Sequence, residues 1–279
     1  MHLLTFTLLV CGSSLVAGFL GALTGLGGGV VLVPVLTLIF KVDIRYAIGA
    51  SLVSVIATSS GAAAAYLREG YINMRIGMFL QVATSMGALL GAFLAGMVSA
   101  SFIGVVFGIV LLHAAYSSGK ARIEEWGVDR PQDRIAAYFR MEGTYPTPDG
   151  PRSYRVRAVP LGFGLMTLAG TLSGLLGIGS GAMKVLAMDQ AMRLPFKVST
   201  TTSNFLIGVT AATSAGVYLN RGYIDPVLAM PVMLGVLAGS ILGAKLLPSA
   251  STKMLRTVFS IVIAVMGLQM LYNSLAGRL

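Results

Sequence analysis

Few residues in this chain could do chemistry, and one of them is conspicuously placed. Lys184 stands inside the apolar run "GIGSGAMKVLAM" (177–188), three residues beyond Gly181. A charge in such a segment is costly and points to a binding or transport role by default. The glycines before it have counterparts in "GLGGG" (25–29). A helix start offers unpaired N–H groups and a partial positive charge, which together suit an anion. Glycine removes the side chain that would hold an anion away from those groups. The pattern predicts an anion site in which Gly27, Gly28, Gly29, Gly179, Ser180 and Gly181 present backbone donors and Lys184 adds charge. Two hydroxyl-rich runs, "SLVSVIATSSG" (51–61) and "STTTSNFLIGVTAATS" (199–214), supply further polar groups. From them Ser51, Ser203 and Asn204 are expected to contact the ligand. The competing role for these residues is helix packing, since small residues and hydroxyls also hold membrane helices together.

Catalysis fits poorly. The histidines are His2 and His113, and neither belongs to an H-E-x-x-H pair. No G-x-S-x-G nucleophile elbow is present, and the apolar spans hold no paired carboxylates. The lone Cys11 allows no internal disulfide. The chain is therefore read as a non-enzyme without cofactor or catalytic metal. Asp189, Gln190 and Glu69 are candidates for coupling to protons; sodium is the alternative coupling ion.

The elements that must position these residues are membrane helices. Hydrophobic residues make up 56% of the chain and charged ones 11%, well below the roughly 25% of soluble domains. Apolar stretches fall near 3–24, 46–67, 76–98, 102–117, 160–176, 198–219, 227–247 and 257–275. Most approach the ~20 residues a spanning helix needs, and they lack the alternation of a β-barrel. The net charge of +10 is spread among the short polar gaps, as expected of topological anchoring rather than nucleic-acid binding. The opening "MHLLTFTLLVCGSSLVAGF" lacks a basic n-region and a cleavage site, so it is expected to belong to the mature protein.

The one long polar stretch, 118–158, holds eight Lys/Arg and six Asp/Glu, and it divides the chain into 1–117 and 159–279. Those halves repeat. A shift of 152 residues lays "GLGGG" on "GIGSG", and "YLREGYIN" (66–73) on "YLNRGYID" (218–225), without a gap. The same shift pairs Ser51 with Ser203 and Thr58 with Thr210, but Lys184 with Leu32. If the second half is inverted and the 118–158 linker is cytoplasmic, 15 basic residues lie inside and four outside; a parallel arrangement gives 12 and seven. The expectation is an all-α polytopic bundle of two inverted repeats, with 8–10 membrane segments including half-helices broken at the glycine clusters. Val30–Phe40 and Ala182–Met192 are each eleven residues, about 16 Å as helix and half the hydrocarbon thickness.

The glycine motif Gly25-Leu26-Gly27-Gly28-Gly29, its run to Pro34, and the second copy Gly177-Ile178-Gly179-Ser180-Gly181 resemble the TauE/SafE family of sulfite exporters. The resemblance extends over nearly the whole chain outside the linker. It implies a multi-pass transporter of the bacterial inner membrane for a small anion such as sulfite, a sulfonate or sulfoacetate, working by alternating access among lipids. The second copy departs from the family pattern, with Ser180 for glycine, Lys184 and Asp189 in the apolar stretch, and Leu186 where Pro34 stands in the first. A passive anion channel, or a membrane anchor or sensor acting through 118–158, are the alternatives.

Overall fold

The computed structural model describes residues 3–24, 28–69, 72–118, 133–147, 150–246 and 252–278. Gly27 lies outside the described residues, as do Gly25 and Leu26. The protein is an all-α membrane bundle with one small hairpin. The first half comprises α1 (Leu3–Thr24), α2 (Gly29–Pro34) running into a π-helical turn (Val35–Ile39), α3 (Ile44–Glu69), α4 (Met74–Ala95) and α5 (Ala100–Ser118). The linker contributes α6 (Arg134–Tyr138) and a hairpin of β1 (Gly143–Thr147) and β2 (Gly150–Tyr154), antiparallel with Gly143 opposite Tyr154. The second half is α7 (Val159–Leu176), α8 (Gly181–Leu186) with its π-helical turn (Ala187–Ala191), α9 (Phe196–Asn220), α10 (Pro226–Leu246) and α11 (Thr252–Leu275).

The two halves begin their elements at positions 152 residues apart, from α2 and α8 through α5 and α11. Their half-helices even end alike. Val42 N donates to Leu36 O as Leu194 N does to Met188 O, and Lys41 and Arg193 both take the left-handed conformation beyond the end. The π-helical turn forms after Leu186 just as after Pro34, so the proline is not its cause.

Packing is reciprocal: α1 lies against α10, and α4 against α7, their equivalents in the other half. Both contacts are backbone-close. A methyl group on Gly87 or Gly91 of α4 would strike the backbone of Thr167 or Thr171, and one on Gly170 or Gly174 of α7 would strike that of Thr84 or Ala88. Gly18, Gly235 and Gly239 do the same between α1 and α10. These are the small-xxx-small contacts by which helices associate where no hydrophobic effect drives them together. In both pairs residue numbers rise together, so the helices run the same way. The equivalent helices themselves run oppositely. Gly108 of α5 sits by Leu271 of α11 while Ser260 Oγ donates to Ala115 O. Ser59 of α3 abuts Gly208 of α9, whereas Gly49 abuts Tyr223 at the other end.

Among the described residues, four helices are long and apolar enough to cross a membrane by length and composition: Leu4–Gly21, Met74–Ala95, Val159–Leu176 and Pro226–Gly243. They belong to the two close-packed pairs, and their outer faces expose Leu8, Met78, Val82, Phe93, Leu168 and Leu234. Such a belt suits lipid rather than water. The hydroxyl-rich α3 and α9 pack on each other between these pairs.

The described part of the linker, 133–147 and 150–158, is folded onto the bundle. Ala136, Met141, Tyr154 and Val156 are buried in one cluster with Leu80 of α4, Met166 of α7, Met188, and Leu206 of α9. Asn73, which caps α4 through Ile76 N, also donates to Met141 O and Tyr154 Oη, at 3.0 and 2.7 Å. Asp133 Oδ2 accepts from Val159 N, fixing the start of α7. Burial raises the Tyr154 hydroxyl's pKa above its ordinary value, and the Asn73 hydrogen bond partly offsets it.

Candidate functional site

The glycine breaks meet. Gly177 and Gly179 adopt left-handed φ values of 67° and 70°, and Ser180 joins them at 48°, so the chain turns sharply before α8 begins. Gly29, opening α2, lies against this turn: a Cβ there would stand 3.1 Å from Gly177 O. Ser51 Oγ donates to Gly177 O at 2.8 Å and Ser203 Oγ to Gly181 O at 3.2 Å. Each hydroxyl from α3 or α9 thus spends its proton on a carbonyl of the second break. Both serines are buried, and their visible work is to clamp this irregular backbone, which must find internal partners at membrane depth. Gly28 is buried against Val236 and Gly18, while Asn204 is half-buried on α9.

Ser180 has another environment. Its hydroxyl is buried without a partner, and the residue borders an apolar cavity of about 30 Å³ lined also by Val30, His113, Gly181, Met183 and Leu186. That volume holds about one water.

Lys184 faces away from that cavity, toward α9 and α4. Its side chain is 0% exposed. Nζ donates to Thr210 Oγ1 at 2.8 Å and to Leu206 O at 3.5 Å. Thr210 Oγ1 in turn donates to Leu206 O at 2.6 Å, the back-bond open to a helical threonine. Around it α4 adds Thr84 Oγ1, 3.3 Å from Thr210 Oγ1, and Gln81 Nε2 at 3.4 Å. Gln81 Nε2 also donates to Ser85 Oγ at 2.7 Å, and Ser85 approaches Thr213 of α9 at 3.5 Å. Gln81 Oε1 is buried without a partner. Among the described residues no carboxylate is hydrogen-bonded to Lys184. The result is an amine, an amide and four hydroxyls between α8, α9 and α4, a donor set suited to an oxyanion.

Among the described residues this cluster exists once. At the symmetry-related place the positions equivalent to Lys184, Thr84 and Gln81 are Leu32 of α2 and Val236 and Met233 of α10, and Leu32 and Val236 are buried among apolar neighbours. Thr58, the equivalent of Thr210, turns its hydroxyl to Ser54 O at 3.0 Å. Of the residues picked out by sequence, the structure gathers Gly28, Gly29, Gly179, Gly181, Ser51 and Ser203 at the breaks, with Lys184 on the adjoining face. Gln81, Thr84 and Ser85 were missed. Their signal was weak, a polar patch in an otherwise apolar span.

The comparisons agree with a membrane transporter. A probable membrane transporter protein of Bacillus subtilis (strain 168), YunE, is 28% identical over 282 residues, covering 98% of this chain and 99% of its own. A second from the same organism, YdhB, is 28% identical over 260 residues, with 92% and 96% covered. A probable membrane transporter protein of Methanocaldococcus jannaschii is 27% identical over 270 residues, with 92% of each chain covered. No solved structure matches the chain significantly. The family model described as "Sulfite exporter TauE/SafE" matches residues 10–270, and this chain belongs to that family.

Proposed function

We propose that the protein is a secondary transporter that moves a small oxyanion, sulfite or a sulfonate, across the bacterial inner membrane by alternating access. The observation that carries this reading is the fully buried Lys184, held only by neutral groups beside the junction of two glycine breaks. A bare ammonium is a poor structural element in such a place, whereas an anion would complete it. The family's description names sulfite, which fits the donor set.

The repeats are inverted in this proposal. Support comes from the opposite course of the equivalent pairs α3 with α9 and α5 with α11, and from the distribution of basic residues. Rocking of one half against the other would expose the cluster alternately to the two sides. The linker lies on the cytoplasmic side in this proposal, and its residues 133–147 and 150–158 pack over the N-terminal parts of α4, α7 and α9. Gly28, Gly29, Gly179 and Gly181, with Ser180, Ser51, Ser203 and Asn204, shape and polarise the junction; Lys184 meets the anion, Thr210 positions its amine and Gln81 supplies the neighbouring amide.

Uptake of sulfite, methanesulfonate, sulfoacetate and acetate into proteoliposomes tests this. Saturable uptake of one sulfur oxyanion, lost in Lys184→Ala, is the expected result. Non-saturating flux would favour a channel, and no flux for any of the four would overturn the proposal.

A further inference from the structure

The hydrogen-bond inventory around Lys184 raises a question about its proton. A charged ammonium carries three N–H donors, and a neutral amine carries two and a lone pair. The cluster offers Nζ two acceptors, Thr210 Oγ1 at 2.8 Å and Leu206 O at 3.5 Å. The Thr210 proton is already committed to Leu206 O, so that hydroxyl can only accept from Lys184. Two acceptors satisfy a neutral amine, while a third donor would be left unmatched in a site with no negative charge.

The neighbouring ionisable groups do not supply that charge. α7 has none along Val159–Leu176. α4 carries Arg75, α5 His113 and Tyr116, and α9 Lys197 near its start and Tyr218 near its end. Asp189, on the π-helical turn that continues α8, is buried and has interactions of its own, and no hydrogen bond joins it to Lys184. Among the described residues nothing bonded to Lys184 carries a negative charge, which leaves the substrate to bring the counter-charge.

Resting on the transport reading above, we infer that Lys184 couples the anion to a proton: the two occupy the site together and cross together, one for one. Nζ takes a proton from water on the entry side as the anion arrives, and the ammonium's third N–H meets the anion's oxygen. On the exit side the anion leaves and Nζ returns the proton to water. No covalent bond to substrate forms, and the cycle moves no net charge for a monoanion. The empty site then returns as a neutral amine, which can cross the low-dielectric interior without the cost of an unpaired charge.

The test uses proteoliposomes holding a pH-sensitive dye, with methanesulfonate as the probe because its charge does not change across the neutral range. Methanesulfonate uptake, measured on the same vesicles by mass spectrometry, should acidify the lumen with one proton per anion. An imposed potassium diffusion potential of about 100 mV should leave accumulation unchanged, whereas an uncompensated anion would shift roughly 50-fold. Lys184→Met should lose anion and proton movement together. Lys184→Arg, permanently charged, should retain a methanesulfonate-induced thermal shift but carry no protons. Uptake without acidification, or with the full response to potential, overturns the coupling while leaving transport standing. No uptake of methanesulfonate, sulfite, sulfoacetate or acetate overturns the transport reading, and the coupling with it.

Discussion

Replacing Lys184 with methionine separates a structural lysine from a functional one. Methionine has nearly the same length and volume, so the space between α8, α9 and α4 stays filled. The change removes a 2.8 Å hydrogen bond to Thr210 and a contact to Leu206 O that lies at the 3.5 Å limit. The first contributes about 1 kcal/mol and the second little. Against that loss stands the desolvation of an amine that is 0% exposed, a cost of about 1–3 kcal/mol when its partners are incomplete. Thr210 keeps its donor bond to Leu206 O, so the substitution strands no proton. Lys184→Met should therefore be as stable as the wild type or up to about 2 kcal/mol more stable. The assay is thermal unfolding in detergent, with and without sulfite and methanesulfonate. An unchanged or raised midpoint with no anion response is expected. A midpoint lowered by the equivalent of about 2 kcal/mol or more, with the anion response intact, would mean that Lys184 serves the fold and would refute the reasoning.

Three further outcomes follow from the same geometry. Thr210→Val removes the hydroxyl that joins Lys184 to α4 and should weaken anion binding roughly 5–30-fold, measured by ligand titration of the unfolding midpoint; an unchanged affinity would exclude Thr210 from the site. Leu32→Lys puts the amine at the symmetry-related place, where Val236 and Met233 of α10 stand for Thr84 and Gln81, and should cost about 3 kcal/mol or more. A Leu32→Lys protein with wild-type stability would show that the two halves are less different than their side chains indicate. Tyr154 has a pKa raised above its ordinary 10.0, so its neutral form stabilises the docked linker fully below pH 10, and this stability is lost as pH rises through the higher folded value. Proteolysis of the linker should accelerate above that pH in the wild type, and Tyr154→Phe should lack this dependence.

The fold was largely legible because the chain states it twice. The repeat of 152 residues anticipates the starts of α2 and α8, and of α3 and α9. Half-helices of eleven residues could be read because glycine clusters stop them on one side and polar residues on the other. The meeting of the two breaks was likewise an expectation from symmetry, and Gly29 does abut Gly177. What escaped was whatever depends on partners far apart in sequence. Thr84 and Thr210 are 126 residues apart, and α4 reads from its composition as a lipid-facing span. Nothing local reveals that its polar patch turns inward, because rotation about its axis is set by the glycine contacts with α7. Ser51 and Ser203 carried a similar ambiguity: a buried hydroxyl is equally suited to a ligand or a carbonyl, and here both reach carbonyls. The linker's folded core was hidden because Ala136, Met141, Tyr154 and Val156 are scattered among charges without a helical or strand period.

The most direct measurement is the location of the anion itself. Selenite, the heavier analogue of sulfite, can be placed by anomalous scattering in crystals of the protein. A peak within hydrogen-bond reach of Lys184 Nζ and Thr210 Oγ1, absent from Lys184→Met crystals, is the predicted result. Selenite bound elsewhere in the bundle, with the space between α8, α9 and α4 empty, would contradict it.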